Sequence, residues 1–135
     1  MWGYKDFYTV VFKDFDDTIL KTEQVPYNES ATAPSNPIRT GYPFKGWDME
    51  FTNVTSDLTI YALYERLILI VFFNTNGCEP IESILVYYND TISLPIPIKE
   101  GFNFKGWLLN GIIFTSSTPV TENITLDALW EESIE

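Results

Sequence analysis

The residues best placed to do chemistry are the carboxylates of Asp14-Phe15-Asp16-Asp17-Thr18, which follow the apolar pair Val11-Phe12. Asp-x-Asp-x-Thr is a pattern used for phosphoryl transfer onto an aspartate. One carboxylate attacks phosphorus, a second moves a proton, and a magnesium ion balances the charge. That chemistry also needs a helix directly after the motif and a lysine further along, on a parallel α/β scaffold. Thr22 to Pro26 reads instead as strand and turn, and the matching loop later in the chain, Asn74-Thr75-Asn76-Gly77, carries no carboxylate. The expected role of Asp14 to Asp17 is therefore a hairpin turn. The same carboxylates do not form a calcium loop of the EF-hand type, because the glycine and glutamate it requires are replaced by Ile19 and Val25.

Other candidates have equally plain readings. Trp47 and Trp107 offer flat faces on which a sugar could stack, but they stand at equivalent places in a small domain, where large aromatics usually pack in the core. Asn28, Asn53, Asn89 and Asn123 head Asn-x-Ser/Thr sequences and are expected at turns and strand edges. Cys78 has no histidine or basic residue close by to lower its pKa, so it is read as an incidental, partly exposed thiol. The chain has no histidine and a single cysteine, which removes the usual general base, an internal disulfide and a thiolate zinc site. No catalytic residue, no metal site and no cofactor is expected.

These residues are carried on a chain of 135 residues, 45% hydrophobic and 16% aromatic, enough to build a core. The net charge of −11 disfavours nucleic acid and anionic membrane surfaces alike. The longest apolar run, Leu67 to Phe73, is seven residues and too short for membrane insertion. Met1-Trp2-Gly3-Tyr4-Lys5 lacks the apolar stretch of a signal peptide. Two expectations follow: a segment of a larger exported chain, or a complete protein that takes another route, such as a virion protein.

The organisation is an internal repeat. Gly41-Tyr42-Pro43-Phe44-Lys45-Gly46-Trp47 recurs as Gly101-Phe102-Asn103-Phe104-Lys105-Gly106-Trp107, an offset of 60. Tyr27-Asn28-Glu29-Ser30 matches Tyr88-Asn89-Asp90-Thr91, and prolines follow in both copies, Pro34 and Pro37 against Pro95 and Pro97. Val54-Thr55 and Leu58 to Tyr64 match Val120-Thr121 and Ile124 to Trp130 at an offset of 66, so copy two gains about six residues near Asn110-Gly111. Residues 1–7 form an N-terminal segment, 8–66 and 67–132 the two modules, and 133–135 a tail. The fold class expected is mainly β, α+β at most, with little helix.

Each copy reads as a hairpin, a proline-containing extended crossover with room for one helical turn, a short strand after a glycine turn, and a closing alternating strand. Leu58, Ile60, Ala62 and Tyr64 face inward in copy one, and Ile124, Leu126, Ala128 and Trp130 in copy two. Phe44, Trp47, Phe104, Trp107 and Trp130 are assigned to the cores.

In this order the motifs resemble the internalin-B-type B repeat, the Listeria–Bacteroides repeat. The resemblance covers nearly the whole chain and is carried by Gly-x-x-Phe-x-Gly-Trp and the closing Thr-x-x-Ala-x-Tyr/Trp-Glu. It implies two tandem β-grasp-like modules, a place on bacterial surface proteins, and a stalk, spacer or adhesion role without catalytic residues. Leu63 and Leu129 stand at outward positions that the family often fills with lysine.

That hydrophobic excess points to an interface. Leu63 and Leu129 lie on the outer side of the closing strands, and Leu67, Leu69 and Val71 belong to a run expected to be buried on both faces. The partner is a neighbouring repeat or another protein chain, with an oligomer or larger assembly open and carbohydrate a weaker option. The function expected is a non-catalytic spacer or protein-binding segment, extracellular or at the cell surface as part of a larger chain. The alternative is a small virion accessory protein, a capsid decoration or fibre-base component.

Overall fold

The computed structural model describes residues 6–134. It is all β, in two compact units that divide between Glu65 and Arg66. Module 1 holds β1 (Phe7–Lys13), β2 (Ile19–Pro26), β3 (Phe44–Trp47) and β4 (Leu58–Tyr64). Module 2 holds β5 (Ile68–Asn74), β6 (Ile81–Tyr87), β7 (Phe102–Leu109), β8 (Ile112–Phe114) and β9 (Ile124–Glu132).

The strand orders are β2-β1-β4-β3 and β6-β5-β9-β7-β8. In each sheet the opening hairpin is antiparallel, and its first strand pairs parallel with the closing strand, Val10 beside Leu58 and Val71 beside Ile124. A parallel partner cannot be reached by a tight turn. The long proline-containing segment after the hairpin supplies the crossover. It stays extended in both modules, and the helical turn allowed for there does not form. Proline lacks an N–H and fixes its own φ, which fits an extended chain.

Val54 and Val120 explain their place in the repeat. Asn28 N–H donates to the Val54 carbonyl at 2.7 Å and Val54 N–H to Glu29 at 2.8 Å. Asn89 and Asp90 make the same pair of bonds with Val120, at 2.7 and 2.9 Å. Both valines are only 1% exposed, so each loop is pinned by a buried side chain and two backbone bonds together.

The Phe-x-Gly-Trp motif is a bulge. The register of β3 on β4 shifts between Phe44 and Gly46, and that of β7 on β9 between Phe104 and Gly106. The glycines there take φ of +139° and +135°, a region that other residues rarely adopt. The bulge turns Trp47 and Trp107 onto the core side of their sheets.

The cores are separate. In module 1 Val10, Phe12, Val25, Val54 and Ile60 are buried; in module 2 Val71, Trp107, Val120 and Leu126 are. Burying one such side chain contributes roughly 1.5–3 kcal/mol. The rings of Trp47 and Phe51 meet Phe12 edge-on at 5.1 and 5.2 Å. Trp107 meets Phe73 and Phe104 in the same manner, at 5.0 and 5.4 Å. Phe44, Trp47, Phe104 and Trp130 are half-buried at the core margins, and Trp107 alone of the five assigned aromatics is fully enclosed.

Two expectations are corrected. The run Leu67 to Phe73 is not buried on both faces: Leu69 and Val71 point into the core, while Ile68 and Phe72 are exposed. The run is a one-sided strand whose outward residues are also apolar. Leu69 and Val71 are therefore core residues rather than interface residues, and Leu67 packs against the same core.

Candidate functional surface

The Asp14 turn is built into the module that carries it. Asp14 N–H donates to the Thr18 carbonyl at 2.8 Å, and Asp17 takes a φ of +70°. A strand, β2, follows the turn where phosphotransfer would need a helix. The carboxylates do not converge on an open point. Asp14 accepts from the hydroxyl of Tyr64, and Asp17 accepts from that of Tyr61 at 2.7 Å. Among the described residues no three carboxylate or thiol side chains gather into a metal-holding group.

The electrostatics follow from these contacts. Burial, then the hydrogen bond to Asp14, pushes the Tyr64 phenol up to about 12. The Tyr61 phenol is raised, chiefly by its bond to Asp17. Hydrogen bonds with Thr18 hold the Asp16 carboxyl below its ordinary value. The N–H of Thr32, at 2.9 Å, lowers Glu23.

A cation sits above this turn. The Arg39 guanidinium lies 3.8 Å from the centre of the Phe15 ring, 4.0 Å from Tyr42 and 5.2 Å from Tyr64. Module 2 repeats the arrangement with other residues. Lys99 Nζ lies 4.2 Å from Phe102 and 5.6 Å from Trp130, and donates to the Asn76 carbonyl at 3.1 Å. Trp130 Nε1 donates to the Thr75 carbonyl at 2.8 Å. In both modules the end of the crossover, the closing strand and the hairpin turn are thus tied by a cation over aromatic rings. Sequence reasoning passed over Arg39 and Lys99, although they stand at the offset of 60 that relates the flanking glycine motifs.

The tryptophans part company. Trp107 is 1% exposed and its Nε1 donates to the Pro95 carbonyl at 2.8 Å, so no ligand reaches it. The extra residues of module 2 cause this. Asn110 and Gly111, both at positive φ, turn β7 into β8, and Phe114 pairs with Trp107. Trp47 has no such cover. It borders a shallow depression with Asp48, Met49, Glu50, Phe51 and Thr52. Asp48 is already engaged there, accepting from the Tyr61 N–H at 2.8 Å.

The remaining candidates are structural. Asn28, Asn53 and Asn89 occupy left-handed turn positions. Asn123 Oδ1 accepts from Ile70 N–H at 2.9 Å, as Asp57 Oδ1 does from Thr9 N–H in module 1. Cys78 is partly exposed in the β5–β6 turn. Leu63 and Leu129 are 41% and 38% exposed, on the outward side of β4 and β9. Among the described residues no helix is long and apolar enough to cross a membrane.

Two small mixed sheets with the same hairpin, crossover, bulge and turn clamp define a tandem β-repeat protein. The chain belongs to the Listeria-Bacteroides repeat family, whose sequence profile matches residues 8–63 and again 70–129. It is similar to two proteins of Evansella cellulosilytica. One, provisionally named a Gly-rich membrane protein, is 30% identical over 143 aligned positions, covering 94% of this chain and 16% of that protein. The other, provisionally named a membrane protein, is 30% identical over 138 positions, covering 91% of this chain and 21% of its own length. The chain thus spans about a fifth or less of the curated relatives it matches.

Proposed function

We propose that this chain is a non-catalytic repeat segment of a bacterial surface-type protein, acting as a spacer or as a protein-binding segment. The observation that carries this reading is the use of its polar side chains. Asp14, Asp17 and Trp130 join a hairpin turn to the closing strand of their own module, and Lys99 joins the end of the crossover to the turn. Among the described residues no buried side-chain polar atom is left without a partner, which supports a structural use of these groups. The family supports a structural role, and the provisional names of the relatives support a place at the cell envelope.

The test is protease shaving of intact cells that produce the natural protein, followed with an antibody against this segment. Loss of the signal while a cytosolic marker survives is expected. A signal that disappears only after lysis contradicts the surface assignment. A phosphatase screen with magnesium on wild type and Asp14→Asn should give the same background for both, and activity lost in the variant contradicts the non-catalytic assignment.

A further inference from the structure

The outward faces of the two hairpins differ in kind. In module 1, Thr9 of β1 stands opposite Gln24 of β2, and Gln24 Nε2 donates to Thr9 Oγ1 at 3.0 Å. The matching places in module 2 hold Ile70 and Leu85, also directly paired. Beside them Ile68 pairs with Tyr87, and Phe72 continues the outward row of β5. Ile68 is 53% exposed, Phe72 47%, Leu85 71% and Tyr87 50%, and Ile70 lies half-buried among them. None of the five is charged.

We infer that this face is a self-association surface, covered by the same face of a second copy in a two-fold contact. The exposed parts of these side chains amount to about 500 Å² per copy, hence about 1,000 Å² in a pair, the lower bound of a specific interface. Charge supports a second copy as the occupant. A chain of net charge −11 repels its own kind least where the touching side chains carry no charge; none of these five does, and the cation beside them, Arg66 at 5.6 Å from the centre of the Tyr87 ring, is paired with Asp90 at 2.7 Å. A two-fold contact uses the same patch on both copies, so one apolar hairpin face is enough to form it. Its restriction to one module matters as well. A contact recurring at every junction of a repeat array would need the face in both modules, and Thr9 and Gln24 do not provide it. A single isologous face closes on itself and yields a dimer. This inference does not depend on where the protein resides.

Sedimentation velocity and light scattering on the full chain, across the micromolar range, test it. The mass should rise from 15.6 kDa toward twice that value with a micromolar midpoint. Raising the salt should preserve or strengthen the association, since it screens the acidic surfaces without weakening apolar contact. The variant Ile70→Thr/Leu85→Gln installs module 1's own pair, which this fold already accommodates, and should weaken dimerisation at least about tenfold, in keeping with loss of the two central apolar residues. Circular dichroism checks its folding; should it be unfolded, Leu85→Lys, at the most exposed position of the patch, replaces it with the same expectation. Leu63→Lys/Leu129→Lys should dimerise like wild type. A wild type that stays at 15.6 kDa throughout, association that survives in the folded patch variant, or association lost in the Leu63/Leu129 variant overturns the inference, as does growth beyond a dimer.

Discussion

The hydroxyl of Tyr64, on the strand that closes module 1, donates to the carboxylate of Asp14 in the turn of the opening hairpin. Fifty residues of chain separate the two, and the bond fixes the turn against the end of the neighbouring parallel strand. Trp130, which takes the place of Tyr64 in module 2, reaches the Thr75 carbonyl instead. One architectural link is thus made with a charged acceptor in one module and a neutral one in the other.

Tyr64→Phe keeps the ring, its edge-on contacts with Phe15 and Phe44, and its place beneath Arg39, while removing the donor. The expected cost is about 1.5 kcal/mol, the lower end for a bond to a charged acceptor. For a module of this size it lowers the melting temperature by roughly 6–12 °C. Asp14→Asn retains an oxygen acceptor and should cost less. Thermal unfolding followed by circular dichroism compares the two, and an unchanged Tyr64→Phe melting curve would show that the bond does not hold the turn.

The same contacts predict a pH dependence in module 1. Tyr64, pushed up to about 12, keeps its proton in the fold at a pH where the unfolded chain, near 10, has lost it. Its stabilising effect is complete below pH 10 and disappears as the pH climbs through 12. Tyr61 acts in the same direction. Asp16 and Glu23 act in the opposite one. Their folded-state values lie below the ordinary 3.8 and 4.5, so their contribution is present above those values and fades as the pH falls beneath them. Methyl NMR of Val10 and Val71, buried at matched positions of the two cores, reports on each module. The Val10 signals should leave their native positions first, at both extremes of pH.

Much of this arrangement was legible in the sequence, because the duplication doubled each signal. The β character, the strand limits near Leu58–Tyr64 and the hairpin at Asn110-Gly111 follow from alternation and turn chemistry alone. The Asp14 motif could be set aside because its twin has no carboxylates. What stayed hidden was three-dimensional. The run Leu67 to Phe73 reads as doubly buried because periodicity vanishes when the outward residues are also apolar. Only the register shows that Ile68 and Phe72 lie opposite Leu69 and Val71 in burial. Nor does the repeat pattern distinguish Trp47 from Trp107. The inserted residues give module 2 the edge strand β8, which pairs beside β7 and sets Phe114 opposite Trp107, and module 1 has no such strand next to Trp47.

Gly46 and Gly106 give a paired prediction. Both hold a φ that L residues rarely adopt, so alanine at either place should cost about 1–3 kcal/mol. A methyl group at Gly46 would meet open space, whereas at Gly106 it would lie 3.3 Å from Ile113 Cδ1. That contact is with the end of a flexible side chain and can relax. Gly106→Ala should therefore be only slightly the more destabilising, as urea midpoints of the two variants would reveal. Equality with wild type for both would mean that the bulge is not needed.

Asp57 and Asn123 allow the last test, since they do one task with different chemistry. Each stands just before a closing strand and accepts the N–H of a residue in the neighbouring strand, Thr9 or Ile70, at 2.9 Å. The side-chain oxygen extends the parallel ladder by one bond beyond its first paired residues, Val10 with Leu58 and Val71 with Ile124. Either oxygen suffices for that geometry. Asp57→Asn and Asn123→Asp should both leave stability within about 0.5 kcal/mol of wild type, as expected for exchanges that keep the acceptor. Asp57→Ala and Asn123→Ala strand the donor at the start of the ladder and should each cost about 1 kcal/mol. Hydrogen exchange at Thr9 and Ile70 reads the bond directly: protection should drop in the alanine variants and persist in the Asn/Asp exchanges. Loss of protection in the exchanges as well would show that charge, rather than the acceptor oxygen, governs this end of the sheet.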